Sequence, residues 1–456
     1  MAAYKFSSTT TRHLICLATL LSLIAFMSGC ALSGCTTNQV PLTAEPTTHM
    51  DTVPSDTAAT QDMLKPALPS KLKGSTETVD ENGIVHGITP DGIAYTVHGR
   101  DVAAAQKDRV TLAAVGDQIA SDDSLFIADR NAGDIGDGIY DFSPWFYEIG
   151  PFIAQSDLRY INQETVMAGG PDGYPISGYP SFNSPDCMVD SILSVPFNMV
   201  NFATNHTYDM GTFGVERSHS IFDQHPELVV AGSYLTQEDR ETVQMIERNG
   251  ITFAFLAFTY GDNNYMDPAA MPNTYYSCVF DEEAIEQDVR RAQEVADVVI
   301  VSMHWGSEYT TQINDHQRYW SQFVADLDVD LIIGTHAHCM QPVEYVTSAS
   351  GKSVPCVFGL SDIVSGWTIT DTILSGIFCC DFVPQDDGSI TVENLIWHPT
   401  IEWSDGSHDV WVRMLENMSD EEINANTRTP DVGNDADYLY DMVTSTIVEI
   451  PIAWQR

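Results

Sequence analysis

Residues 331–341 read Leu-Ile-Ile-Gly-Thr-His-Ala-His-Cys-Met-Gln: a short apolar, β-branched run that breaks at a glycine into a cluster holding two histidines. A run of this length bounded by a glycine reads as a buried strand, with the histidines at its carboxyl end. The same design recurs from residue 109 onward. Strand-like runs cover Val110 to Val115, Phe197 to Ala203, Ile251 to Phe258, Val298 to Met303 and Val354 to Phe358. Between them lie helical patterns at Gly214 to Phe222, Glu282 to Val295 and His316 to Leu327. In the second helix, Ile285, Val289, Ala292 and Val295 recur at helical spacing. Strands alternating with helices predict a layered α/β domain.

The flanks read differently. Ile84 to Ile88 and Ile93 to Val97, split by Thr89-Pro90-Asp91-Gly92, predict a small hairpin. Residues 376–403 predict a second hairpin around Gln385-Asp386-Asp387-Gly388. Residues 36 to about 74 are rich in Thr, Pro, Ser and Ala and read as a tether. The expected organisation is therefore a signal segment over 1–35, tether and hairpin over 36–108, the main domain over 109–403, and an acidic, partly helical extension over 404–456.

Lys5 and Arg12 precede an apolar run from Leu14 to Met27, shorter than the ~20 residues of a membrane span. It leads into Met27-Ser28-Gly29-Cys30 and Leu32-Ser33-Gly34-Cys35. Both resemble the lipobox of bacterial lipoproteins, so Cys35 or Cys30 is expected to carry lipid and to hold the chain on the outer side of the membrane. The six later cysteines then face an oxidising space, with no CxxC spacing to suggest a structural zinc site. With 64 Asp+Glu against 20 Lys+Arg, the formal charge is −44. Such a surface repels phosphate backbones, so nucleic acid is not an expected partner.

Polar residues follow the strand candidates in order. They are Asp117, then Asn162-Gln163-Glu164, Asn205-His206 with Asp209, His304-Trp305-Gly306-Ser307-Glu308, and His336-Ala337-His338. Singly, each has an ordinary explanation: a Gly-Asp turn, a loop hydrogen bond, a packed core histidine. As an ordered set at strand ends they point to one site, because α/β sheets gather ligands there. Mixed oxygen and imidazole donors suit Zn, Mn or Fe and not a calcium cage.

Val115-Gly116-Asp117, Asn162-Gln163-Glu164, Asn205-His206-Thr207-Tyr208-Asp209-Met210-Gly211, His304-Trp305-Gly306-Ser307-Glu308 and Gly334-Thr335-His336-Ala337-His338-Cys339-Met340-Gln341 together resemble the CapA family of capsule and poly-γ-glutamate synthesis proteins. The resemblance covers about residues 109 to 365. It implies a calcineurin-like metallophosphoesterase sandwich, here with a C-terminal β-hairpin extension. Carried over, Asp117, Glu164, Asn205, His304, His336 and His338 would hold one or two divalent transition-metal ions, with Glu164 bridging. His206 would be a proton donor beside them, and Glu308 would orient His304 or meet substrate.

Two departures stand out. The Asp-x-His opening of that wider fold reads Asp117-Gln118-Ile119, which thins one metal position. Asp362 replaces an expected asparagine in Phe358-Gly359-Leu360-Ser361-Asp362. The expected function is metal-dependent hydrolysis, of a phosphoester or a γ-glutamyl amide, in synthesis, release or anchoring of a surface polymer. The rival expectations are a non-catalytic polymer-binding or scaffold subunit of a membrane synthesis complex, and a general extracellular phosphoesterase.

Overall fold

The computed structural model describes residues 70–100, 107–264, 271–406, 409–429 and 435–456. Cys30, Cys35, the apolar run from Leu14 to Met27 and most of the tether lie outside the described residues. Among the described residues, no helix is long and apolar enough to cross a membrane.

Two large sheets carry the fold. The first has nine strands in the spatial order Thr76–Val79, Val85–Ile88, Ala94–His98, Val243–Arg248, Ile251–Thr259, Val298–His304, Leu331–Thr335, Ser353–Leu360 and Met340–Thr347. The second runs Trp411–Met414, Ile390–Trp403, Leu374–Pro384, Val110–Gln118, Leu158–Gln163, Met199–Asn201 and Val229–Ala231, with Asp362–Val364 also paired to Val110–Gln118.

Residues alternate along each strand, so each sheet has two apolar faces to bury. Val110, Leu112 and Ala114 face Phe253, Phe255, Ile300 and Ile333 in a core between the sheets. Phe253 meets Phe382 edge to face at 4.9 Å, and the Tyr160 hydroxyl reaches Ser302 Oγ at 2.7 Å across the layers. The opposite faces take helices. Ala113, Val115, Ile161 and Val200 pack with Leu125, Ile127, Met188 and Ile192. On the other side Val299, Val301 and Ile332 pack with Ile285, Val289, Ala292, Trp320 and Val324. The result is the expected layered α/β sandwich, helix–sheet–sheet–helix.

The Glu282–Val295 helix has the predicted bounds, with the Asp281 side chain capping Ala284 N. Both hairpins form, and both are built into the sheets. Ala94–His98 pairs parallel with Val243–Arg248, which joins the first hairpin to the nine-stranded sheet. Leu374–Pro384 pairs antiparallel with Val110–Gln118, which joins the second hairpin to the central strand of the other sheet. All six described cysteines are free thiols.

The strands that end in polar residues run parallel within each sheet, so their carboxyl ends open at one edge of the sandwich. Gly116 lets the two key segments close there. A Cβ on it would sit 1.7 Å from the Ser361 carbonyl oxygen, which accepts the Asp117 N–H at 2.9 Å. Gly116→Ala should therefore cost about 1–3 kcal/mol or more in denaturant unfolding, because backbone and not a flexible side chain must move. An unchanged unfolding midpoint would contradict this packing.

Candidate metal centre

Five strand-end side chains from both sheets meet at this edge, nearly all out of contact with solvent. Asp117, Glu164, His304, His336 and His338 are each 4% exposed or less. Two groups of them bring ligand atoms within 4.8 Å of one another, Glu164 with His304 and His336 and Asp117 with Glu164 and His338, and the exposed Glu308 forms a third such group with His336 and His338. Glu164 belongs to two. Its Oε1 lies 3.7 Å from His304 Nε2 and 3.7 Å from His338 Nε2.

Neighbouring polar groups hold these side chains in place. Asn162 donates to Asp117 Oδ1 at 2.8 Å and to Glu164 Oε2 at 3.2 Å, and Asn201 donates to Asn162 Oδ1 at 2.7 Å. His304 Nδ1 meets Thr335 Oγ1 at 2.9 Å, and its Nε2 meets Asn205 Oδ1 at 2.8 Å. The group that orients His304 through Nδ1 is thus Thr335 and not Glu308, whose side chain is exposed. His338 Nδ1 lies 2.9 Å from Asp362 Oδ1 and 3.4 Å from Asp117 Oδ2, leaving Nε2 for the centre. A carboxylate behind a histidine in this way fixes which nitrogen is presented.

The two loop histidines converge for a reason other than strand alternation. The strand ends at Thr335, and His336 and His338 both take positive φ, at 88° and 54°. Such backbone is uncommon for residues other than glycine and gathers at functional sites. Here the turn brings the rings to 5.8 Å and points the His336 N–H at Asp117 Oδ2, 3.1 Å away.

The centre is electrostatically poised. Burial, and then the Asp117 charge, push the Glu164 carboxyl well above the ordinary range. Burial and neighbouring histidines hold His304 and His336 well below theirs, as neutral imidazoles. Burial opposes charge on His338 as well, but Asp362, Glu164 and Asp117 overcome it and raise that histidine. Two atoms facing this group, Glu164 Oε1 and His336 Nδ1, are buried without a hydrogen-bond partner. Buried polar atoms are rarely left so, and one explanation is an ion between them. The donor set of neutral imidazole and carboxylate fits a divalent transition metal.

His206 stands beside the centre. Asp209 Oδ2 lies 2.7 Å from its Nδ1, Asn263 Nδ2 lies 3.4 Å from its Nε2, and Phe182 packs edge to face against its ring. Ile119, at the position of the missing Asp-x-His histidine, is buried.

A family model described as "Bacterial capsule synthesis protein PGA_cap" matches residues 111–366, more than half of the chain, and its span contains every residue of the cluster. The chain belongs to this family. Among PGA_cap relatives, the PGA biosynthesis protein CapA of Bacillus subtilis (strain 168) is 30% identical over 174 residues, 38% of this chain and 44% of that protein. The capsule biosynthesis protein CapA of Bacillus anthracis is 25% identical over 188 residues, 40% of this chain and 44% of that protein. The matched region thus spans less than half the length of these relatives. Among solved structures, the NAD nucleotidase NadN of Haemophilus influenzae aligns over 75% of this chain and 60% of its own, with 9% identity and a TM-score of 0.39. PhoD aligns over 73% and 74%, with 10% identity and a TM-score of 0.36.

The expectation from the sequence motifs thus holds at the level of the family. Asp362 and Thr335 were not assigned a role by sequence. Asp362 reaches the centre because its strand pairs in parallel with the strand carrying Asp117, residue against residue.

Proposed function

We propose that this chain is a lipid-anchored, extracytoplasmic hydrolase of the PGA_cap family that acts in synthesis, release or anchoring of a capsule or poly-γ-glutamate-type polymer. The observation that carries the hydrolase reading is the unpartnered pair Glu164 Oε1 and His336 Nδ1 inside a ring of histidines and acids. Family membership supports the polymer, and the Leu32-Ser33-Gly34-Cys35 stretch supports the anchor. Asp117, Glu164, Asn205, His304, His336 and His338 would hold one or two ions of Mn, Zn or Fe, Glu164 serving both. Bound there, a divalent ion supplies polarisation of the scissile group and acidification of water. His206 supplies the proton. Asp209 on Nδ1 holds the ring in place, with Nε2 left to face the leaving group.

The test is elemental analysis of the full chain beside a His336→Ala/His338→Ala variant. Near-stoichiometric transition metal, lost in the variant, is the expected result. Equal and negligible metal in both, even after reconstitution, would shift the reading to a scaffold subunit. Buried Ile119 at a ligand position is the observation that favours that alternative.

A further inference from the structure

The rim of the centre is aromatic and acidic. The Tyr260 ring lies 4.6 Å from His336, while Tyr309 and Trp367 lie 5.6 and 5.4 Å from His338. Tyr309 is 53% exposed and Tyr260 36%, so both offer open ring surface at the mouth. Tyr309 is held with a positive φ of 60° while its N–H donates to Ala337 O at 2.9 Å. Among these rings stands Glu308. Its carboxylate is exposed, lies within 4.8 Å of ligand nitrogens of His336 and His338, and takes no hydrogen bond from the described residues.

Tyr309 and Trp367 are 6.0 Å apart and inclined at 57°. A flat base held between two rings needs them near parallel and about 7 Å apart, twice a normal contact distance. An inclined pair instead forms a corner, in which one small rounded group lies within about 6 Å of both ring centres. A corner of aromatic faces beside an unpaired carboxylate attracts a cation by quadrupole and charge together. With a formal charge of −44 on the chain, an anionic substrate gains by carrying a cation of its own.

We infer that Tyr309, Trp367, Tyr260 and Glu308 form a subsite for an organic ammonium group that the substrate carries beside its anionic scissile group. The subsite rests on the metal-centre reading for its purpose, but not for its binding. It makes the preferred substrate zwitterionic: the anionic end goes to the histidine and acid cluster, and the ammonium goes to the rim.

Calorimetry on the full, metal-loaded chain would compare phosphocholine with neohexyl phosphate, its carbon isostere without the ammonium charge, and with inorganic phosphate. Phosphocholine should bind about tenfold more tightly than the isostere. Tyr309→Leu, Trp367→Leu and Glu308→Gln should each bring that ratio to within about twofold of one, with metal content retained. Equal affinity for phosphocholine and its carbon isostere would overturn the subsite and leave the metal centre standing. Loss of metal in Glu308→Gln would also overturn it, making Glu308 a ligand. Tetramethylammonium binding to the metal-stripped chain, read by NMR saturation transfer and weakened in the same variants, tests the subsite even if no phosphate binds. Its absence there would overturn the inference by itself.

Discussion

Glu164→Gln should lower transition-metal affinity by at least about 100-fold, more than the roughly 10–100-fold expected for a residue that only supports a ligand. Glu164 is shared by two of the three ligand groups, and its Oε1 is equidistant from His304 and His338. Losing its charge therefore depletes both halves of the centre at once. The same change should stabilise the metal-free fold. A buried carboxyl beside Asp117 is protonated more readily folded than unfolded. The folded state then binds the extra proton, and stability falls as pH rises from the ordinary glutamate range through the raised value. His304 and His336 act in the opposite sense, because only the unfolded chain protonates them near their usual range. The wild type alone thus gives a mixed profile. The difference between wild type and Glu164→Gln isolates the carboxyl: the variant's advantage should widen from about pH 4.5 upward. Thermal unfolding of metal-free proteins across pH, with metal titrations at neutral pH, checks both halves. Superimposed unfolding profiles and metal affinity within a few-fold of wild type would contradict this account of Glu164.

A variant that loses its ligand and gains stability is the behaviour of a site, and it bears on what sequence can disclose. The strands were legible because each is an apolar run of the right length, and the Glu282–Val295 helix because its four apolar positions fall on one face. Asp117 and the histidines were legible because each follows such a strand, whereas Glu164 follows Leu158–Gln163, a strand the sequence did not disclose. Their supports were not. Asn162 lay in plain view within Asn162-Gln163-Glu164, but its two hydrogen bonds cross to Asp117 and back to Glu164, a pattern that depends on register. Asp362 read as a departure from an asparagine. Its contact with His338 comes from a short parallel pairing that no local signal announces. The strand Met340–Thr347 was also missed, since it follows the histidine turn directly and alternates in burial only over its second half. Trp367 and Tyr309 carry no periodic signal, and only the folded loops bring their rings to His338.

The least legible part is the segment beyond the family match, and it supports the second large effect. Glu402→Ala should destabilise the fold by about 3–5 kcal/mol, the range seen when one partner of a buried ion pair is removed. Glu402 is 1% exposed. Its Oε1 accepts from Ser365 N at 2.8 Å, Gly366 N at 3.0 Å and Ser365 Oγ at 3.3 Å, and its Oε2 faces Arg428 Nη2 at 3.6 Å. Arg428 in turn donates to the Gly366 carbonyl and to the Trp367 carbonyl, the latter at 2.7 Å. Truncation would strand two buried backbone donors at once and remove the carboxylate that faces the half-buried Arg428 guanidinium. The loop so held is the one that carries Asp362 to His338 and Trp367 to the rim. The family match stops at residue 366, yet the bonds that fix its last residues come from 402 and 428. Arg428→Ala should be costly for the same reason, and the double variant should lose much less than the two single losses added, because both remove one shared network. Denaturant unfolding of the three variants measures this directly, and strict additivity would show that the two residues act apart. A chain cut after Trp403 would keep every proposed ligand and lose Arg428. It should therefore bind metal more weakly than the full chain, although nothing in its ligand set has changed.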